Sequence, residues 1–110
     1  MDIADLLRKA IETEYDNPML DLRLIAEEIG LSEAYISRLF KQKYGISVFQ
    51  YVNKIRVDQA KELMRSSDDY IKVIALKVGF FGDGQFIRAF KRQEGTTPGR
   101  YRSSISKESD

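Results

Sequence analysis

Along most of the chain, apolar residues recur three and four positions apart, most clearly over Ile3–Tyr15 and Val48–Met64. That spacing lines one face of a 3.6-residue helix, and no stretch alternates with the two-residue period of a half-buried strand. Glycine and proline fall at the ends of these runs rather than inside them. The pattern predicts an all-α fold of seven helices. The first spans 3–15 and is closed by Asp16-Asn17-Pro18; the second spans 22–29, with Asp21 as N-cap and Gly30 as its stop. The third covers 33–44 between Ser32 and Gly45, and a long fourth covers 48–65 behind Ser47. A fifth over 70–78 stops at Gly79, and a sixth over 83–94 stops at Gly95. The seventh is expected to be a short turn of helix from Pro98, a favoured first helical residue. The tail Ser103–Asp110 is polar and expected to fray.

Within this pattern lies an internal repeat. Ile25-Ala26-Glu27-Glu28-Ile29-Gly30-Leu31 aligns with Ile74-Ala75-Leu76-Lys77-Val78-Gly79-Phe80 at an offset of 49 residues. One extra residue then enters the second copy. Beyond it, Ile36, Arg38, Phe40, Lys41, Gly45 and Tyr51 match Phe86, Arg88, Phe90, Lys91, Gly95 and Tyr101 at an offset of 50. A unit of helix, turn, helix and glycine stop is thus written twice and joined by the long helix. Close packing of two such helices needs a small residue where they cross, a turn residue that accepts left-handed backbone, and an apolar residue pointing back from the second helix. Ala26, Gly30 and Ile36 meet these needs, and Ala75, Gly79 and Phe86 meet them again. The organisation expected is a first helix-turn-helix subdomain over 1–47, a linker helix over 48–66, a second subdomain over 67–102 and a polar tail over 103–110. Ile36, Leu39, Phe40, Val52, Ile55, Leu63, Phe80 and Phe90 are expected in the core.

Composition narrows the chemistry. Cysteine and histidine are absent, which removes disulfides, thiolate nucleophiles, Cys/His zinc sites and imidazole bases. No Gly-x-x-x-x-Gly-Lys phosphate loop occurs, so neither an enzyme nor a cofactor is expected. No apolar run approaches the roughly 20 residues of a membrane helix, and Met-Asp-Ile-Ala-Asp at the N-terminus does not read as a secretory signal; a cytoplasmic protein is expected. The formal net charge of +1 hides an asymmetry. Residues 1–37 carry three basic side chains against nine acidic ones, whereas residues 38–102 carry fourteen against six. Such a chain can present a basic face to phosphate while remaining near neutral. The alternative, a helical protein-interaction module, would show an exposed apolar groove and no salt-dependent binding of nucleic acid.

Over residues 5–102 the chain resembles the AraC/XylS family of bacterial transcription regulators. The second unit carries the clearest wording: Ile74-Ala75-Leu76-Lys77-Val78-Gly79-Phe80, then Phe86-Ile87-Arg88-Ala89-Phe90-Lys91, then Gly95-Thr96-Thr97-Pro98-Gly99-Arg100-Tyr101-Arg102. Ile55-Arg56-Val57-Asp58-Gln59-Ala60 is similar to that family's linker helix. The resemblance implies a domain whose two recognition helices enter successive major grooves of double-stranded DNA, about 34 Å apart. Carried over by position, Glu33, Ala34, Ser37 and Arg38 face the first groove, and Asp83, Gly84, Gln85, Ile87 and Arg88 the second. Arg38 and Arg88 are the leading base readers, since a guanidinium pairs bidentately with guanine; Gln85 suits adenine and Ile87 a thymine methyl. Ser32, Lys41, Lys43, Ser47, Lys91, Arg92, Arg100 and Arg102 are the candidates for phosphate. Gly82 and Gly84 depart from the family's pattern of an acidic or hydroxyl N-cap followed two residues on by serine. RNA polymerase is a further candidate partner, no small-molecule ligand is expected on this domain, and the chain is expected to be the output part of a larger regulator.

Overall fold

Seven α-helices follow one another in the computed structural model, which describes residues 2–108 and the side chains of residues 2–106. They are α1 (Ile3–Glu14), α2 (Leu22–Ile29), α3 (Glu33–Tyr44), α4 (Val48–Ser66), α5 (Ile71–Lys77), α6 (Asp83–Glu94) and α7 (Pro98–Glu108). Side-chain chemistry sets where they begin. Asp2, Asp21 and Ser32 each accept a hydrogen bond from a first-turn amide of α1, α2 and α3, satisfying N–H groups that have no intrahelical partner. Ser47 and Gln50 close a reciprocal capping box on α4.

Burial divides the apolar residues into two cores. Leu7, Ile11, Ala26, Ile36, Phe40 and Val52 form the first. Val57, Ala60, Met64, Ile74, Ala75, Val78, Phe80, Phe86 and Phe90 form the second. The helix α4 belongs to both, giving Val52 to one and Val57, Ala60 and Met64 to the other. Its 19 residues make a rod about 28 Å long, and the molecule is correspondingly extended, 50 × 24 × 22 Å.

The repeat survives in three dimensions. Ala26 and Ala75 are buried where the paired helices cross, and Gly30 and Gly79 both take left-handed backbone, with φ of 84° and 109°. Tyr51 and Tyr101 rest against Phe40 and Phe90, with ring centroids 5.4 Å apart in each unit. For the second core α4 plays the part that α1 plays for the first, since α6 packs on α4 as α3 packs on α1.

One element is longer than its sequence suggested. Instead of a short turn, α7 runs for 11 residues to Glu108, so most of the segment expected to fray is helical; residues 109–110 lie outside the described residues. The repeat is the reason. The Arg100 amide donates to Thr97 Oγ1 at 3.2 Å, as the Gln50 amide donates to Ser47 Oγ at 3.1 Å. α7 is therefore a second copy of the start of α4, and Tyr101 anchors it on the second core. No helix among the described residues is long and apolar enough to cross a membrane.

Candidate nucleic-acid interface

The second helix of each unit, α3 or α6, has 12 residues, an inward apolar side and a glycine stop in left-handed backbone. Ile36 and Phe40, or Phe86 and Phe90, are fully buried. Packing these side chains turns the intervening basic residues outward. Arg38 and Lys41 on α3, and Arg88, Lys91 and Arg92 on α6, are all exposed, and none of them pairs with a carboxylate among the described residues. The Arg38 guanidinium lies over the Tyr35 ring, 5.4 Å from its centroid, a cation–π contact that leaves its donor edges free.

These two helices border one cleft. A cavity of about 780 Å³ has an apolar floor from Ile11, Pro18, Leu20, Leu22 and Ile25 of the first unit, and is bordered by Glu33, Ser37, Arg38, Lys41 and Gln42 of α3, by Ser47 with Val48, Phe49, Val52 and Arg56 of α4, and by Gln85 of α6. Ala34 is exposed near the start of α3, as are Asp83 and Gly84 at the start of α6, and Ile87 and Arg88 follow on the open side of α6. The start of α6 is built differently from that of α3. Gly82 provides no side-chain cap, and Gln85 Oε1 accepts from the Phe81 amide at 3.2 Å, one residue before the N-cap amide that a capping box would use. The Gln85 amide nitrogen remains available as a donor.

Of the residues expected at phosphate, Lys41, Lys91, Arg92 and Arg100 are exposed. Ser32 and Ser47 serve as N-caps through their oxygens, which leaves each hydroxyl proton free to donate. Two of the phosphate candidates are engaged within the protein. Lys43 lies about 140° around the helix from Arg38 at 100° per residue. Its ammonium is held by Asp2 at 2.7 Å and Asp5 at 2.8 Å on α1. Those two bonds raise its pKa and hold both carboxylates below their usual 3.8, with Tyr44 also donating to Asp5. Arg102 occupies in α7 the position of Val52 in α4, and so points inward. It donates to the backbone carbonyls of Ser67, at 2.8 Å, and Asp69.

Further bonds tie each recognition helix and its neighbours to the helix behind it. In the first unit Tyr51 donates to Glu12 at 2.8 Å; burial and that bond push its pKa up to about 12. In the second, Lys61 pairs with Glu94 at 2.9 Å and Gln93 donates to Asp58 at 2.8 Å. A residue given no role from sequence also emerges. Arg56 lies only 7% exposed on α4, within the stripe Val52, Arg56, Ala60, Met64. An arginine at the repeat of four in an otherwise apolar stripe is the signal that marks it.

The sequence profile of a helix-turn-helix domain family matches residues 25–104. An uncharacterised HTH-type transcriptional regulator of Bacillus subtilis, YtdP, is 37% identical over 101 residues, covering 92% of this chain and 13% of that protein. The HTH-type transcriptional regulator MtrA of Neisseria gonorrhoeae is 34% identical over 100 residues, covering 91% of this chain and 33% of that protein. The chain therefore spans a third or less of these two relatives. Among solved structures, the C-terminal domain of AraT, a response regulator of Geobacillus stearothermophilus, superposes with a TM-score of 0.90 at 35% identity, covering 94% of this chain and 86% of that one. The DNA-binding domain of AdpA, solved in complex with a target DNA, gives 0.84 at 25% identity, covering 96% and 94%. With its two helix-turn-helix units around a shared rod, the chain belongs to the AraC-type helix-turn-helix family of DNA-binding transcription regulators.

Proposed function

We propose that this domain binds double-stranded DNA by sequence, with α3 and α6 in successive major grooves on one side of the duplex, as the output part of a longer cytoplasmic regulator. The observation that carries the reading is the shared cleft. Both recognition helices border it, and each carries an exposed arginine at the same place in the repeat, Arg38 or Arg88, that no carboxylate neutralises among the described residues. Guanine presents two acceptors in the major groove that suit such a group. Lys41, Lys91, Arg92 and Arg100 supply charge for the phosphates on either side, and the N-terminal ends of α4 and α7 supply amides. RNA polymerase is a further partner under this reading.

Selection of bound duplexes from a random pool tests it. The reading expects an enriched site with two short conserved blocks about one helical turn apart, bound less tightly as salt rises. An unenriched pool would overturn it, and a single block would confine base reading to one unit.

A further inference from the structure

An arginine stands where the turn of the second unit meets the end of α1. Arg56 Nε donates to the Tyr15 carbonyl at 2.7 Å, and its Nη2 donates to the Asn17 carbonyl at 3.2 Å. Tyr15 is the C-cap of α1, so the guanidinium satisfies a carbonyl that the helix leaves without a partner and places positive charge at its negative end. The same guanidinium lies 5.4 Å from the centroid of the Phe80 ring, in the turn of the second unit. The first unit's α1, the shared rod and the second unit's turn are thereby joined through one side chain.

Gly79 completes the junction. A Cβ built there would stand 2.3 Å from the Tyr15 oxygen, 2.8 Å from Arg56 Nε and 3.0 Å from Asp16 Cα. Its counterpart Gly30, at the matching turn of the first unit, has nothing within 4 Å. Gly30 is thus required only by its left-handed backbone, whereas Gly79 also allows the second unit's turn to seat directly against the end of α1. Arg56 further lies where the apolar side of α4 passes from the first core, at Val52, to the second, at Val57. At this point the rod's tie to both units is polar and directional, made by one side chain that reaches the end of α1 and the turn of the second unit. Hydrogen bonds with defined acceptors set an angle; apolar contacts at the two ends of a rod do so less sharply.

We infer that Arg56 and Gly79 form a latch that fixes the angle between the two helix-turn-helix units, making Arg56 a positioning residue for simultaneous engagement of two grooves. The inference rests on the proposed DNA-binding reading only for its consequence, because the latch is a property of the free protein. Without it, α3 and α6 remain intact but sample a range of relative orientations. A duplex whose two half-sites are correctly spaced then gains less from the second unit.

The chain has no cysteine, so a pair introduced at exposed Glu28 on α2 and Lys72 on α5 can carry spin labels, one on each unit and away from the recognition helices. Pulsed dipolar distances are then recorded without DNA for the parent, Arg56→Lys and Gly79→Ala. Lysine keeps the charge but cannot reach two carbonyls with a planar fork. Circular dichroism establishes that each variant is folded, and Arg56→Lys is the milder change should Gly79→Ala not fold. The latch predicts a single narrow distribution in the parent and one at least twice as broad in the variants. A folded Arg56→Lys with the parent's distribution would overturn it.

The second readout uses duplexes with the selected half-sites at their native spacing and at one base pair more or less. Arg56→Lys should lose about tenfold in affinity at native spacing, hold a single half-site within twofold of the parent, and discriminate less among the spacings. A variant with unchanged spacing preference would contradict the latch, since a general loss of stability does not alter that ratio. Should the parent bind no duplex, the DNA-binding reading fails while the label distances still decide the latch.

Discussion

Among single residues, the test of function lies in the exposed arginines. Arg38→Ala should cost about 1–3 kcal/mol of binding and relax discrimination at one base pair of the selected site, with Arg88→Ala doing the same in the other half. An Arg38→Ala variant that binds every sequence as tightly as the parent does would remove its assigned role. Lys43 gives the opposite expectation, although it too is basic and on α3. Lys43→Met should leave DNA affinity within about twofold, because its ammonium is engaged by Asp2 and Asp5 behind the helix. It should instead alter the response to acid. Both carboxylates titrate below 3.8 in the folded protein, so their contribution to stability is whole above that value and is lost as pH falls through the depressed one. Thermal unfolding followed from pH 5 to pH 2 should show a shallower decline for Lys43→Met than for the parent; identical slopes would exclude the pairing. The outward arginines were legible from the sequence because Ile36 and Phe40 mark the inner side of α3. The placement of Lys43 on the side of α3 away from Arg38 follows from the same helical angle, but its carboxylate partners lie about 40 residues earlier in the chain, a contact that no local pattern announces.

At the level of elements, the repeat told most, and polarity misled once. The crossings, turns and stops of both units sit where Ala26, Gly30 and Gly45, or Ala75, Gly79 and Gly95, place them. Polarity hid α7, since the run of serines after Arg102 outweighs the signal of Thr97 and Tyr101 unless the copy is carried on past Gly95. The start of α6 offers a test of capping. Gly82 has φ −165° and ψ 173°, extended backbone suited to a serine N-cap, and a Cβ there meets nothing within 4 Å. Gly82→Ser should stabilise the domain by about 0.5–1 kcal/mol, by supplying a cap and by restricting the unfolded chain. Denaturant unfolding measures the change; a midpoint at or below that of the parent would show that a hydroxyl at this position supplies no cap.

For the molecule as a whole, electrostatics and shape act together. Sequence showed a basic section and an acidic one, and the fold concentrates unpaired basic groups on the two recognition helices while α1 carboxylates absorb Lys43. If Lys91 meets a phosphate, Lys91→Ala should make the plot of log affinity against log salt shallower by about one and weaken all sequences alike. An unaltered slope would take Lys91 off the interface. What the sequence left unwritten is the relation between the two units, because it depends on one buried arginine reaching the end of α1 rather than on any periodic pattern. The most direct measurement of the central claim is methylation interference at guanine N7 across a selected duplex, since that atom lies in the major groove. Two groups of interfering guanines, centred about 10 base pairs apart on one side of the helix, are the predicted result. A single group, or no interfering guanine at all, would contradict engagement of both α3 and α6.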